Sequence, residues 1–309
     1  MQTFLKAVTM ARSDNLTGAV LMMASMAAFT INDTFMKALA GEIPLFQLLF
    51  LRGVLTTLAV GGMAWWMGAF RVRLSRRDSG SIALRMVGEI GAAYFFLTAL
   101  FNMPLANVTA ILQAIPLTIT LAAALFFGDS IGWRRLSAIV VGFVGVMLIV
   151  RPGAEDFTIY SFFALAAVGF VTLRDLATRR LARETPSMLV TFITSGSIMV
   201  FFGLASLTGE WAPMDLRASV LTLGASVMII GGYLFSIMVM RVGEISFVAP
   251  FRYTGLIWAL VLGWVAFGEW PEPITLVGAA IVVGSGLFTL YREAQLGRKR
   301  RLSHMSRPR

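Results

Sequence analysis

Apolar residues fill ten long stretches of the chain, and short segments rich in Pro, Gly and charged residues separate them. A helix that spans a bilayer needs about 20 mainly apolar residues. The ten stretches cover residues 16–36, 45–67, 81–100, 105–127, 134–150, 157–178, 187–208, 218–240, 245–267 and 274–291. The pattern therefore predicts an all-α integral membrane protein with ten transmembrane helices, which we number spans 1 to 10.

The composition agrees with this fold class. Hydrophobic residues make up 58% of the 309 residues and charged residues 14%, whereas a soluble domain carries about a quarter charged residues. The absence of cysteine excludes disulfides, thiolate metal sites and cysteine nucleophiles. The one histidine, His304, lies in a basic C-terminal tail, which excludes a histidine metal cage. We therefore expect no cofactor, no metal and no catalytic residue.

Lysine and arginine are distributed unevenly between the two sides of the predicted bundle. If the N-terminus lies inside, the inner segments hold 19 of the 26 basic residues, and the outer segments hold only Lys37, Arg151 and Arg217. Because cytoplasmic loops accumulate Lys and Arg, both termini are predicted to be cytoplasmic. The basic excess then reflects orientation in the bilayer rather than nucleic-acid binding.

The two halves of the chain resemble each other. The segment "TINDTFMKALAGEIP" (30–44) aligns with "TLRDLATRRLARETP" (172–186), and six identical residues recur 142 positions later. Further matches join "FFGD" (126–129) to "AFGE" (266–269), with an offset of 140, and "IVVG" (139–142) to "IVVG" (281–284).

This duplication divides the chain into two five-helix repeats, residues 16–150 and 157–291, between an N-terminal segment 1–15 and a basic tail 292–309. An odd number of helices per repeat means that the second repeat enters the membrane inverted. Two inverted five-helix repeats are the architecture of many alternating-access transporters.

The quoted motifs also resemble those of a known family. "FFGDSIGW" and "AFGEWPEP", each followed by a Gly-rich apolar helix, together with "APFRYTGLIWALVLGWVAFGEWP", are similar to the drug/metabolite transporter superfamily, in the group with paired EamA domains. The resemblance covers nearly the whole chain. It implies transport of a small organic metabolite across the inner membrane, with a central cavity lined mainly by spans 1, 3, 4, 6, 8 and 9.

Arg252 lies inside span 9, in the stretch "VAPFRYTGLIWALVLGW". At 1.5 Å per residue it is ~12 Å from the cytoplasmic end, too deep for its side chain to reach the interface. An arginine at such a depth costs at least ~2.5 kcal/mol and is functional by default. We interpret it as an anchor for a carboxylate, phosphate or carbonyl group of a substrate. The alternative is a structural ion pair with Glu89 or Asp33.

Two further charges lie within spans. Glu89 in span 3 is a candidate proton carrier, because burial makes a carboxyl group easier to protonate. The alternative is an i,i+4 ion pair with Arg85 on the same helix face. Arg52 in span 2 aligns with Thr194 of the second repeat, so the scaffold does not require its charge. It is either a binding residue or half of a buried ion pair.

Several polar positions are related by the repeat. Asp33 and Asp175 are equivalent carboxylates, which favours a structural role common to both halves. Asn32 and Arg174 are equivalent in position but differ in chemistry, as an asymmetric substrate needs. The remaining candidates for lining the cavity are the equivalent pair Gln113 and Tyr253, and the aromatic residues Tyr94 and Trp258. The aromatic rings could stack on a planar heterocycle or simply pack.

The sequence therefore predicts a secondary transporter of a small-molecule solute. Riboflavin or a similar heterocyclic vitamin or cofactor, taken up by the cell, is the first hypothesis for the substrate. The alternative within the family is an exporter of amino acids or other metabolites. A membrane enzyme would want histidines that this chain lacks, and a channel would want a polar ring repeated by symmetry. The basic tail is predicted to contact anionic lipid, and the oligomeric state stays open.

Overall fold

The computed structural model describes residues 2–72, 74–128, 132–152, 158–182, 184–242 and 245–305, and every regular element in these ranges is a helix. The α-helices are α1 Gln2–Lys37, α2 Leu45–Trp66, α3 Arg76–Asn102, α4 Leu105–Leu112, α5 Ile115–Phe127, α6 Trp133–Val150, α7 Ile159–Arg179, α8 Ser187–Ser206, α9 Leu216–Val242, α10 Ile245–Val248, α11 Thr254–Phe267 and α12 Pro273–Met305. Two 3₁₀-helices cover Ala69–Arg71 and Ala249–Tyr253. Asp129 of the "FFGD" motif and most side chains of the basic tail lie outside the described residues.

Ten segments of this helical fold are long and apolar enough to cross a membrane. They confirm the ten predicted spans and the all-α fold class. Span 4 consists of α4 and α5, and span 9 consists of α10, the second 3₁₀-helix and α11. The end of the bundle at which α1 ends and α2 begins is called the Lys37 end below. The opposite end, at which α7 ends and α8 begins, is the Arg180 end.

The helices pair across the two halves. The main partners are α1 with α9, α3 with α7, α2 with α8, and α6 with α12. The repeat relates span 1 to span 6 and span 3 to span 8, so the α1–α9 pair corresponds to the α7–α3 pair. The other two pairs correspond to themselves. An internal two-fold relation between the halves predicts this pattern of helix pairs. Because each main pair joins one helix from each half, the halves are interleaved rather than separate domains.

Glycines bring these paired helices into close contact. A Cβ added at Gly88 of α3 would lie 2.9 Å from the backbone nitrogen of Arg174 in α7. At Gly53 of α2 it would lie 3.0 Å from the Cα of Met199 in α8. Small residues at helix contacts allow the backbones of membrane helices to approach, because van der Waals packing rather than water exclusion holds them together.

Spans 4 and 9 are interrupted at equivalent positions. The α4 helix ends at Leu112, and α5 begins at Ile115 with Pro116 in its first turn. In span 9 the 3₁₀-helix that contains Pro250 ends at Tyr253, the repeat equivalent of Gln113. Proline has no N–H and clashes with the preceding turn, so it breaks a continuous α-helix. Discontinuous spans near the bilayer midplane are typical of transporter binding regions.

The Lys37 end is closed by a compact apolar core drawn from both halves. Its fully buried members are Met36, Leu39, Ile43, Leu48, Leu49, Leu97, Leu100, Leu105, Phe202, Ala218, Ala225 and Ala259. A polar latch lies beside this core. The Lys37 Nζ is 2.8 Å from Glu269 Oε1 and donates to the Met103 carbonyl, and Glu269 Oε2 accepts from the backbone N–H of Leu105.

Candidate functional site

A cavity lies between α2, α3, α8 and α9 at mid-span depth. In the described conformation its volume is about 30 Å³. Its lining residues are Arg52, Gly53, Thr56, Arg85, Glu89, Thr191, Thr194, Ser195, Ile198, Ile229 and Tyr233. We call it the Arg52 cavity. Arg52 lies roughly 10 Å along α2, and Glu89 lies about midway along α3.

The cavity lies where the internal two-fold relates the halves. Its lining contains repeat-related pairs on opposite sides: Arg52 with Thr194, Gly53 with Ser195, Thr56 with Ile198, and Glu89 with Ile229. In two of these pairs the first half contributes a charge, and the second half contributes a hydroxyl or an alkyl group. A symmetric scaffold therefore carries an asymmetric set of polar groups at its centre.

Arg52 is the buried cation of this cavity, with 7% of its surface exposed. Its Nη1 donates to Asn32 Oδ1 at 3.2 Å, and the Asn32 amide donates to Asp33 Oδ1 at 2.8 Å. Among the described residues, no carboxylate oxygen lies within 4.0 Å of the Arg52 guanidinium group. Asn32 Oδ1 is the one hydrogen-bond acceptor that the described residues show for this guanidinium group, which carries five N–H donors.

Glu89 lies at the centre of a second polar network. Its Oε2 is 3.7 Å from both Arg85 Nη2 and Arg174 Nε, and Tyr233 donates its hydroxyl to Oε1 at 3.4 Å. Arg174 also pairs with Asp175, at 2.8 Å. The i,i+4 pair between Arg85 and Glu89 that the sequence offered as an alternative is present. The carboxylate is therefore balanced by two cations, and its role as a proton carrier stays a prediction.

The rest of the cavity wall is rich in hydroxyl groups. Thr191, Thr194 and Ser195 donate to carbonyls of their own helix, so their oxygens are left to accept a hydrogen bond. Within the described part of the chain, neither the buried Thr56 hydroxyl nor the Arg85 Nε has a hydrogen-bond partner. Since buried polar groups are nearly always hydrogen-bonded, these groups suit a polar ligand. The wall therefore presents N–H donors of arginine to an anionic or carbonyl group of a ligand. It also presents hydroxyl oxygens that can accept a hydrogen bond from a donor group of the ligand.

Arg252 does not line the Arg52 cavity. Its side chain is half-buried in the second 3₁₀-helix and forms no ion pair among the described residues. The two carboxylates that the sequence offered as partners, Glu89 and Asp33, are engaged elsewhere. Ala249–Tyr253 is a 3₁₀-helix with about three residues per turn, so Arg252 does not lie in a continuous α-helix. Its substrate role stays a prediction.

The other aromatic and amide candidates also lie outside the cavity lining. Tyr253 is buried with its hydroxyl against Gly286 of α12, and no described residue forms a hydrogen bond with that hydroxyl. Gln113 approaches Gly255, and Trp258 is 38% exposed on the surface of α11. Tyr94 packs against the rings of Phe46, Phe95 and Phe163.

The lining comes from spans 2, 3, 7 and 8, whereas the family resemblance implied spans 1, 3, 4, 6, 8 and 9. Spans 1 and 6 contribute through Asn32 and Arg174, which contact the lining residues Arg52 and Glu89. No motif or charge in the sequence indicated the lining residues Tyr233, Thr56, Thr191 and Ser195. The repeat could have indicated Ser195, because it is adjacent to the Arg52 equivalent Thr194.

Comparison with known proteins shows the family of this chain. The EamA-like transporter family matches the chain twice, at residues 16–151 and 158–291. The chain belongs to the EamA-like transporter family. It is therefore a multi-pass membrane protein of a family of transporters, not enzymes, and the predicted paired EamA repeats are confirmed.

Several named relatives of this EamA-like chain are transporters. A Rickettsia conorii S-adenosylmethionine uptake transporter is 26% identical over 283 residues, which cover 90% of this chain and 94% of the relative. A Vibrio cholerae riboflavin transporter is 28% identical, over 75% and 78% of the two chains. A Pseudomonas aeruginosa pseudopaline exporter is 24% identical, over 86% and 93%.

One crystal structure of a protein matches the EamA-like chain with a TM-score of 0.59 at 19% identity. The match covers 91% of this chain and 97% of that one. At this identity, the likeness bears on the fold alone.

Proposed function

We propose that this EamA-like protein is a secondary transporter that binds its solute at the Arg52 cavity and moves it by alternating access. The observation that carries the proposal is the buried Arg52 guanidinium group, which lines the same cavity as Glu89 but has no carboxylate oxygen within 4.0 Å among the described residues. A buried charge is costly unless it is paired, so an anionic or carbonyl group of a solute supplies the missing partner.

The substrate class that fits best is a heterocyclic vitamin or cofactor with hydroxyl groups, and riboflavin is the first candidate. Its carbonyl-bearing ring system would accept hydrogen bonds from Arg52, and its ribityl hydroxyls would donate to Thr194 and Ser195. Relatives named for riboflavin and for S-adenosylmethionine support this class. S-adenosylmethionine also carries a carboxylate, which suits a bidentate guanidinium contact.

Export of an amino acid or other metabolite is the second candidate. A relative named as an exporter supports it, and pseudopaline export shows that both directions occur among the relatives. The exposed fraction of the side chain rises from 10% for Glu89 to 26% for Arg174 and 31% for Asp175. This gradient and the closed Lys37 end favour a conformation in which the Arg52 cavity opens toward the Arg180 end.

The location follows from the basic loops. We propose that the protein lies in the bacterial inner membrane with both termini and the Arg180 end cytoplasmic. In that orientation the described conformation is closed to the outside. Uptake then requires a second conformation in which the Lys37 end opens.

A ligand screen by thermal shift tests the binding proposal. Purified protein would be heated with riboflavin, S-adenosylmethionine and a panel of amino acids, since a true ligand stabilises the folded state by mass action. We expect one class to raise the Tm in the wild type and in the surface control Arg217→Gln, but not in Arg52→Ala. Equal shifts in Arg52→Ala and wild type would place the binding site elsewhere. Saturable counterflow in proteoliposomes would then separate a transporter from a channel.

A further inference from the structure

A second cleft opens at the Arg180 end, between α3 of the first half and α7 of the second. It is lined by Arg77, Gly80, Ser81, Leu84 and Arg180, and its volume is about 460 Å³. It is separate from the Arg52 cavity. Gly88 marks the face of α3 that contacts α7. At 100° per residue, Gly80 and Leu84 lie to one side of that face, and Arg85 and Glu89 lie to the other side.

Arg77 of α3 and Arg180, which follows α7, both line this cleft. Among the described residues, neither Arg77 nor Arg180 forms an ion pair within 4.0 Å. The neighbouring carboxylate, Asp78, accepts hydrogen bonds from the Ser75 hydroxyl at 2.9 Å and the Ala182 N–H at 3.1 Å. The Arg180 guanidinium group lies over the Phe127 ring at 5.0 Å, which fixes its position.

The repeat-equivalent positions at the two ends of the bundle differ in how their arginines are paired. The equivalent of Arg77 at the Lys37 end is Arg217, which pairs with Glu42 at 2.5 Å and donates to the Ala38 carbonyl at 3.2 Å. Ala38 is in turn the equivalent of Arg180. Arg217 thus forms an ion pair with Glu42 at the Lys37 end, whereas at the Arg180 end Arg77 and Arg180 form no ion pair within 4.0 Å among the described residues.

An apolar strip leads from the cleft along the surface of α3. Leu84 and Val87 are 37% and 54% exposed, and Gly80 lies one turn before Leu84. Since α3 is a membrane span, exposed apolar side chains on it face acyl chains. A ligand of this site therefore combines an anionic head with an apolar tail.

We propose that the cleft binds an anionic phospholipid, with its phosphate between Arg77 and Arg180 and an acyl chain along Leu84 and Val87. Arginine forms strong bidentate hydrogen bonds with phosphate. Basic pockets between membrane helices bind lipid head groups in this way. The lipid would join α3 to α7 and so tie the two halves together at the Arg180 end. This site is distinct from the basic tail.

The test compares lipid stabilisation of the delipidated full-length protein in detergent. Phosphatidylglycerol and phosphatidylcholine would be titrated against wild type, Arg77→Gln/Arg180→Gln and the matched control Arg76→Gln, which removes an adjacent arginine that does not line the cleft. We expect phosphatidylglycerol to raise the Tm of the wild type and the control. The double variant should bind it about 30-fold more weakly.

Two further arms make the outcome decisive. Arg77→Lys/Arg180→Lys should retain most of the effect, because lysine also binds phosphate as a point charge. Soluble glycerol phosphate should not reproduce the shift. A full phosphatidylglycerol shift in the Gln double variant would overturn the proposal, since the tail is intact in that variant. Equal stabilisation by glycerol phosphate would also overturn it, because the site would then be a small-anion site.

Discussion

At the scale of single residues, the central feature is a buried arginine at a position where the second half of the protein has a threonine. Arg52 and Thr194 lie on opposite sides of one cavity. A guanidinium group buried within a membrane span is costly, and it persists where it is paired or functional. The neutral partner Asn32 satisfies one of its N–H groups, which leaves the charge itself uncompensated by a close carboxylate.

Substitutions of Arg52 and Arg252 should distinguish the roles of the two intramembrane arginines in transport. Arg52→Ala should reduce transport by ~10-fold or more, because a hydrogen bond to a charged group contributes about 1.5–3 kcal/mol. Arg52→Lys keeps the charge but loses the planar fork, so it should show an intermediate loss. Arg252→Ala tests the sequence-based proposal for that residue. Initial uptake rates at equal membrane abundance measure all three, and normal uptake by Arg52→Ala would exclude its binding role.

Glu89 is predicted to couple transport to protons. Glu89→Gln should then abolish gradient-driven accumulation and leave substrate exchange largely intact, because the amide cannot release a proton. Gradient-driven accumulation is measured in proteoliposomes with an imposed pH gradient, and substrate exchange is measured as counterflow without a gradient. Unchanged accumulation with unchanged pH dependence would show that Glu89 only compensates Arg85 and Arg174.

At the scale of helices, close contacts across the halves determine where the cavity lies. Gly88 brings α3 against α7 next to Arg174, and Gly53 brings α2 against α8 next to the cavity. The interruptions in spans 4 and 9 recur at equivalent positions and end regular α-helix in both halves. Helix identity is thus a property of local sequence, whereas helix partners depend on where small residues allow two backbones to approach.

Replacing Gly88 by Ala should destabilise the protein. The added Cβ would lie 2.9 Å from the Arg174 backbone nitrogen, and such overpacking typically costs about 1–3 kcal/mol. The matched control is Gly169→Ala on α7, where nothing lies within 4 Å of the added Cβ. That change should be neutral or stabilising, because Gly lowers helix stability relative to Ala. Thermal unfolding in detergent compares the two, and equal Tm values would argue against close α3–α7 contact.

The Lys37–Glu269 latch should keep the Lys37 end closed. Glu269→Gln removes the charge that holds Lys37 beside the Met103 carbonyl, so this end should open more often. The chain has no cysteine, so a single Ala218→Cys in the apolar core reports opening through its rate of thiol labelling. We expect several-fold faster labelling in Glu269→Gln than in the control Glu272→Gln, whose partner Arg151 is more exposed. Equal rates in both variants would show that the apolar core alone closes this end.

At the scale of the whole molecule, two interleaved halves surround one asymmetric cavity. The α1–α9 and α3–α7 pairs are equivalent under the internal two-fold, so a motion that opens one end can close the other with similar contacts. In the described conformation the Lys37 end is packed with apolar side chains. The equivalents of Met36, Ala218 and Ala225 at the Arg180 end are Thr178, Asp78 and Arg85, which are polar.

Topology reporters test the orientation of the whole bundle. Alkaline phosphatase fused after residues 40, 103, 154 and 212 should be active, because each site follows an outward-running span when the N-terminus is cytoplasmic. Fusions after residues 73 and 183 should be inactive in the same cells. Activity absent at most of the first four sites would reverse the proposed orientation, and the Lys37 end would then be cytoplasmic.

The sequence by itself determined the number of spans, the duplication, the family and the presence of charges within the membrane. These follow from hydropathy, from identities at a fixed offset and from motifs, all of which are local along the chain. It also indicated Asn32, Arg52, Glu89, Arg174 and their neighbouring carboxylates as candidates, because a charge inside an apolar span is visible without a structure.

Only the tertiary structure decided which of these residues meet. It brings Arg52 and Glu89 to one cavity with Tyr233, which no motif had indicated, and leaves Arg252 outside the cavity lining. The reason is helix packing: the 3₁₀-helix and α11 of span 9 pack mainly against α1, α4 and α12, whereas α2, α3, α8 and α9 line the cavity. The direction of a side chain also depends on the neighbouring helix, and that partner is set by contacts between residues far apart in sequence.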